Sequence, residues 1–255
     1  MADNVENGEQ AKDGLKHRPW ALPHGRWVMA QNWHDLLFAH WPVPVSVVRG
    51  LIPAGLEIDT FDGAAWLGVI PFRMSRVRLP GTPALPWLSF FPELNVRTYV
   101  VRDGKPGVWF FSLDAGNFVA VAIARRWFDL PYFRARMRCE ERDEFIHYES
   151  MRTHGGAAAA AIRARYRPLG PAQTARPGTL EYFLTERYCL YTADRRGRLI
   201  RGEIHHAPWL LQMAEAEIAE NSMASAAGMT LPDCKPLLYF SRRQDVVVWP
   251  PRIIT

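Results

Sequence analysis

The chain has 255 residues, 48% of them hydrophobic and 22% charged, with 10 Trp. That supplies apolar side chain for one large core and excludes a disordered or collagen-like polymer. No apolar run reaches the roughly 18 residues of a transmembrane helix, and the three cysteines are widely spaced with no Cys-x-x-Cys pair, so a membrane span, a disulfide framework and a zinc ribbon are not signalled.

Met1–Pro19 is polar and lacks the apolar stretch of a secretory signal. It reads as a flexible tail ahead of a single domain over residues 20–255, and a cytoplasmic location is expected. Pro44–Leu51 predicts a helix with Val45, Val48 and Leu51 inward. Asp62-Gly63 predicts a hairpin turn before a buried strand over Trp66–Phe72. Leu94–Val101 alternates as a strand and returns through Asp103-Gly104 to Val108–Leu113. Asn117 is placed to cap a helix running to Phe128. Arg134–Cys139 and Phe145–Met151 read as paired strands, and Ile162–Arg167 alternates small or apolar residues with arginine. Thr179–Arg187 predicts a helix. Tyr188–Thr192 and Leu199–His205 flank a turn at Asp194–Gly197. A short helix at Asn221–Ala227 and a strand from Leu237 to Trp249, stopped by Pro250-Pro251, complete the pattern. Many strands with few helices imply an α+β, β-rich domain whose mainly antiparallel sheet curls towards a barrel.

The chain lacks a phosphate-binding Gly-rich loop, a dinucleotide fingerprint and a nucleophile elbow, so no nucleotide cofactor is expected. His205 and His206 would face opposite sides of a strand, and His34 and His40 have no carboxylate at ligand spacing, so no metal is expected. The thiols read as buried and inert. The net charge of +5 rests on arginine, the only lysines being Lys12, Lys16, Lys105 and Lys235. The arginine rows 134/136/138 and 163/165/167 suit a solvated sheet face, and nucleic acid is disfavoured as a partner.

The segment that carries chemistry is Glu93–Val100. Period-two alternation sets Glu93, Asn95, Arg97 and Tyr99 on one face and Leu94, Val96, Thr98 and Val100 on the other. An acid, an amide, a guanidinium and a phenol in one row can line a polar cavity, walled by Trp109 and Phe111 or by Val108 and Phe110 according to register. The alternative is an exposed strand with a weak Glu–Arg pair. Arg126, at a helix end among aromatics, could hold a carboxylate or merely complement the helix dipole. Arg242, inside an apolar strand, could make an inward contact or a structural salt bridge.

Leu51-Ile52-Pro53-x-Gly55-Leu56-Glu57-Ile58-Asp59, Ala65–Phe72, Glu93–Tyr99, Gly107–Asp114, His206-Ala-Pro208-Trp209 and Phe240-Ser-Arg242-Arg243 resemble, in order, a bacterial family of unknown function that is similar in fold to acetoacetate decarboxylase. The resemblance spans about residues 20–252. It implies a β-rich cone-like barrel with flanking helices. The decarboxylase acts through a Schiff-base lysine whose pKa a second lysine lowers; it is a stock example of that activation. The matching stretch here, Ala124–Tyr132, holds no lysine, so that chemistry is not expected to be retained. The decarboxylase's carboxylate-binding arginine falls near His34. The expected function is binding of a small organic anion or carbonyl compound, with lysine-independent enol or lyase chemistry in which Glu93 and Tyr99 handle protons. The alternative is a non-catalytic ligand sensor or a homo-oligomeric scaffold.

Overall fold

The computed structural model describes residues 17–84 and 89–254. The tail to Lys16, residues 85–88 and residue 255 lie outside them. Strands in chain order are β1 (Met29–Val43), β2 (Glu57–Ile58), β3 (Ala65–Arg78), β4 (Phe91–Arg102), β5 (Lys105–Ala115), β6 (Tyr132–Arg142), β7 (Phe145–Arg152), β8 (Ala161–Thr174), β9 (Cys189–Ala193), β10 (Leu199–His206), β11 (Leu210–Asn221), β12 (Leu237–Val248) and β13 (Arg252–Ile253). Helices are α1 (Val45–Arg49), α2 (Phe118–Trp127), α3 (Leu180–Thr185) and α4 (Met223–Ala226).

The strands form one sheet that closes on itself twice. One ring runs β5-β6-β7-β8-β11-β12-β1-β3-β4 and closes through β4–β5. A second runs β5-β9-β10-β12-β1-β3-β4 and shares five strands with the first. Pairings are antiparallel except β5–β6 and β5–β9. Closure leaves few free edges.

The hairpin turns follow their sequence cues. Asp62 and Gly63 have φ of 50° and 77°, and Asp103 and Gly104 have 53° and 68°, the left-handed pair that joins twisted strands tightly. Asn117 caps α2, its Oδ1 accepting from the backbone N–H of Val119 at 3.0 Å and Ala120 at 3.1 Å. Thr179 caps α3 through Tyr182 N.

Four expectations change. Only Val48 of α1 is buried; Val45 and Leu51 are exposed, because the helix is too short to present a second apolar turn. The chain is tied down before Pro19: His17 donates to the carbonyl of His206, and the buried Arg18 pairs with Glu203 at 2.9 Å. Cys234 is exposed, while Cys189 is buried. Burial pushes the Cys139 thiol up to about 12 and Cys189 to about 11, so both stay protonated and inert. Finally, β1 and β11 are long strands the pattern does not announce. β11 is rich in Leu, Met, Ala and Glu, all good helix formers. Cross-strand pairing with β8 overrides that preference: Glu217 meets Arg165 at 2.6 Å, and Glu215 meets Arg167.

The nine-strand ring is packed solid by Leu37, Val69, Leu94, Val96, Tyr148, Tyr166 and Phe240. The seven-strand ring is not.

Candidate functional site

Each strand of the seven-strand ring contributes to a cavity of about 190 Å³, floored by α2 and the end of α3. The two faces of β4 divide the labour. Leu94 and Val96 enter the packed ring, and Glu93, Asn95 and Arg97 line the cavity. These three polar residues are only 2%, 6% and 9% exposed, so their groups exchanged water for a mostly apolar wall.

Glu93 has one anchor: Tyr132 donates from Oη to Glu93 Oε2 at 3.0 Å. Among the described residues no cation pairs with it. Burial pushes its carboxyl up to about 8; the nearby Asp114 adds to this, and the Tyr132 hydrogen bond opposes it. It is therefore mostly protonated at neutral pH.

Arg97 donates from Nη2 to Leu184 O at 3.2 Å, while its Nε has no partner. Its guanidinium carbon lies 5.5 Å from the Phe38 ring centre and 5.6 Å from that of Tyr99. No carboxylate among the described residues pairs with it. Arg187, also on the cavity wall, is by contrast neutralised by Asp59 at 2.5 Å. Further cavity-lining side chains carry buried polar atoms without partners: Asn95 Oδ1 and the indole N–H groups of Trp33 and Trp209, whose rings stack at 6.0 Å. Buried polar atoms are normally satisfied, so this concentration marks a place for a polar guest.

Tyr99 is fully buried behind Arg97 and does not line the cavity. It donates to Leu184 O at 2.8 Å and accepts from His40 Nε2 at 2.6 Å. Burial, with Arg97 close by, holds His40 well below the usual histidine range, so it stays neutral. The pair and Leu184 brace the guanidinium rather than meeting a ligand.

His206 lies on the cavity wall, 2% exposed and stacked on Tyr188 at 4.6 Å. Its Nδ1 is 2.8 Å from Ala207 O and its Nε2 is 3.2 Å from Arg187 O. Burial lowers it to about 4. The sign follows directly. The unfolded imidazole takes a proton near 6.5 and the folded one does not until about 4, so stability present above 6.5 is lost as pH falls through that window, by about 1.4 kcal/mol per unit. Urea unfolding at pH 7.5 and 4.5 reads this contribution as a difference between proteins: on acidification wild type is expected to lose more stability, or gain less, than His206→Asn, the opposite contribution of the raised Glu93 carboxyl being common to both. An unchanged slope in the variant would assign the acid sensitivity to another group.

Five candidate residues stand elsewhere. Trp109 and Phe111 pack against Val100, Cys189 and Tyr191 on the opposite face of β5. The cause is a bulge: Val96 pairs with Ser112 but Arg97 pairs with Phe110, which brings Val108 and Phe110 to the cavity instead. Arg126 is exposed at the end of α2. Arg242 is half-exposed and bonds Asp35 at 2.8 Å and Glu141 at 3.4 Å, the structural salt bridge of the two alternatives. His34 bonds Ser75 Oγ at 2.7 Å and does not line the cavity. Lys105 is held by Glu203 at 3.1 Å, Lys235 is exposed, and neither lines the cavity. Among the described residues no group of three or more His, Cys, Asp or Glu converges as a metal would need, and no helix is long and apolar enough to cross a membrane.

The residues that pattern reading missed are Tyr132, Trp33, Trp209, Arg187 and His206. Tyr132 and Trp209 stand in segments that draw attention for other reasons, but only the ring closure brings them to β4.

Comparison with known proteins agrees with this architecture. The model of a family described as an uncharacterized conserved protein matches residues 30–245. The uncharacterized protein YqjF of Bacillus subtilis strain 168 is 49% identical over 232 residues, 91% of this chain and 95% of its own. Among solved structures, an acetoacetate decarboxylase has a TM-score of 0.61 at 12% identity, covering 90% of both chains. The enduracididine biosynthesis enzyme MppR, complexed with pyruvate, has a TM-score of 0.60 at 12% identity, over 91% of this chain and 92% of its own. The solved structures speak for the fold alone. The chain belongs to the DUF2071 family of uncharacterized conserved proteins and has an acetoacetate decarboxylase-like fold.

Proposed function

We propose that the cavity binds a small organic anion or carbonyl compound, with Arg97 holding the anionic oxygen and Asn95 beside it. The observation that carries this reading is a buried guanidinium with no carboxylate partner among the described residues. An unpaired charge out of water is unfavourable by several kcal/mol, and an anionic guest relieves it. The pyruvate in the MppR complex is a guest of this class. Glu93, at the other end of the row, acts on the bound molecule's protons: its ionised form abstracts a proton next to the carbonyl and returns it, an enolisation that needs no lysine. The stabilised anion is the enolate, and Arg97 is the cation that faces it.

One observation favours a binding-only role, as in a ligand sensor. A Glu93 that is mostly protonated at pH 7 donates a hydrogen bond more readily than it takes a proton. The binding step is common to both readings. Thermal unfolding with pyruvate, acetoacetate or acetylacetone is expected to show stabilisation of about 2.7 kcal/mol when the ligand is at a hundred times its Kd. Arg97→Ala should abolish the effect of the two acids. Equal stabilisation of wild type and variant, or none by any of the three compounds, would sink the proposal.

A further inference from the structure

The cavity also limits which anions fit, given the reading that Arg97 takes the charge. A purely apolar cavity of about 150 Å³ is known to hold benzene. The space here, about 190 Å³, takes a ring-sized body and one polar head. A three-carbon acid on Arg97 would leave much of it empty, and wall atoms facing a void lose their dispersion contacts. Beyond the polar row the wall is apolar, with Phe72, Met74 and Phe110 on the strands. On α2, Ile123 stands between Ala120 and Ala124, all three facing the cavity. The two alanines set its depth at that wall. A second charged head is unwelcome. Arg187 is taken by Asp59, and among the described residues no other cation on the wall is unpaired. The spare donors, the Trp33 and Trp209 indole N–H groups, are neutral and suit a carbonyl oxygen.

We infer that the ligand is a compact monoanionic amphiphile: one carboxylate for Arg97, an adjacent carbonyl oxygen, and a branched or ring-sized apolar body packed against α2. Ala124 and Ile123 are specificity-determining residues.

Calorimetric titration of the intact protein with pyruvate, α-ketoisocaproate, phenylpyruvate and α-ketoglutarate tests this. α-Ketoisocaproate is expected to bind at least about tenfold tighter than pyruvate, and α-ketoglutarate more weakly than α-ketoisocaproate. Ala124→Phe should weaken α-ketoisocaproate by about tenfold while leaving pyruvate within about threefold. Ile123→Ala, which removes bulk and avoids overpacking, should improve phenylpyruvate relative to wild type. Pyruvate as the tightest ligand, α-ketoglutarate equal to α-ketoisocaproate, or a ranking unmoved by both variants overturns the inference. If those results come with Arg97-dependent pyruvate binding, the proposed function stands and only the substrate class falls. Failure of every acid to bind folded wild type removes both.

Discussion

Replacing Arg152 with alanine is expected to destabilise the fold by about 3–5 kcal/mol. Arg152 on β7 is 4% exposed at its side chain and Asp114 on β5 is fully buried. The guanidinium donates to both carboxylate oxygens, at 2.6 Å and 2.8 Å, and lies 4.1 Å from the Phe133 ring centre. Burial pushes the Asp114 carboxyl upward against the pull of Arg152. Without the arginine burial faces only the smaller opposing influences of Ser112 and His154, and a carboxyl stripped of its ion-pair partner is left between strands. Urea unfolding measures the loss. The double replacement Arg152→Met with Asp114→Asn should recover much of it, because the penalty lies in the orphaned partner more than in the absence of the pair. A loss in Arg152→Ala below about 1 kcal/mol would show that water reaches Asp114 and that the site is not sealed.

The second large effect concerns Glu93. If the cavity enolises its ligand, exchange of the hydrogens next to the carbonyl with deuterated solvent is expected to rise about tenfold per pH unit below 8 and level off above it. At pH 7 only about a tenth of Glu93 is ionised. Glu93→Gln should lower the exchange by about 10²–10⁴-fold without abolishing Arg97-dependent binding. The same raised carboxyl predicts a stability effect of definite sign. The folded state keeps the proton up to about 8, whereas an exposed glutamate releases it near 4.5. Folding stability therefore falls as pH rises through that window, and Glu93→Gln should remove this contribution. An exchange rate unaltered in the variant would assign proton transfer to another group. No exchange in wild type, with binding intact, would favour the sensor.

Alternation along β4 made its polar row legible, because a two-residue period needs no knowledge of what lies opposite. The register of β5 was not legible. A bulge between Val96 and Arg97 switches which β5 residues share that face, and neither strand marks the spot with glycine. Of the two pairs that alternation allows, the bulge sends Val108 and Phe110 to the cavity and turns Trp109 and Phe111 away. β1 was hidden for a related reason. Its pairing with β3 is broken at two places, and Asp35 takes a φ of 53°, so its apolar residues follow no single period. β11 was obscured by composition, since its alanines and glutamates favour a helix until β8 supplies arginines opposite them. Arg126, Arg242 and His34 show the limit of judging isolated charges: whether one faces a ligand or a carboxylate depends on residues far away in the chain. The absence of lysine from Ala124–Tyr132, in contrast, is a statement about composition and needed no geometry.

Sharing five strands between two rings makes ligand recognition and folding inseparable along β4. Sliding that strand by a single position would turn Glu93, Asn95 and Arg97 into the interior held by Leu94 and Val96, and those aliphatics into the hollow. An insertion there would accordingly abolish the protein altogether instead of yielding a folded but ligand-blind variant, whereas substitutions on α2 could retune selectivity without threatening either ring.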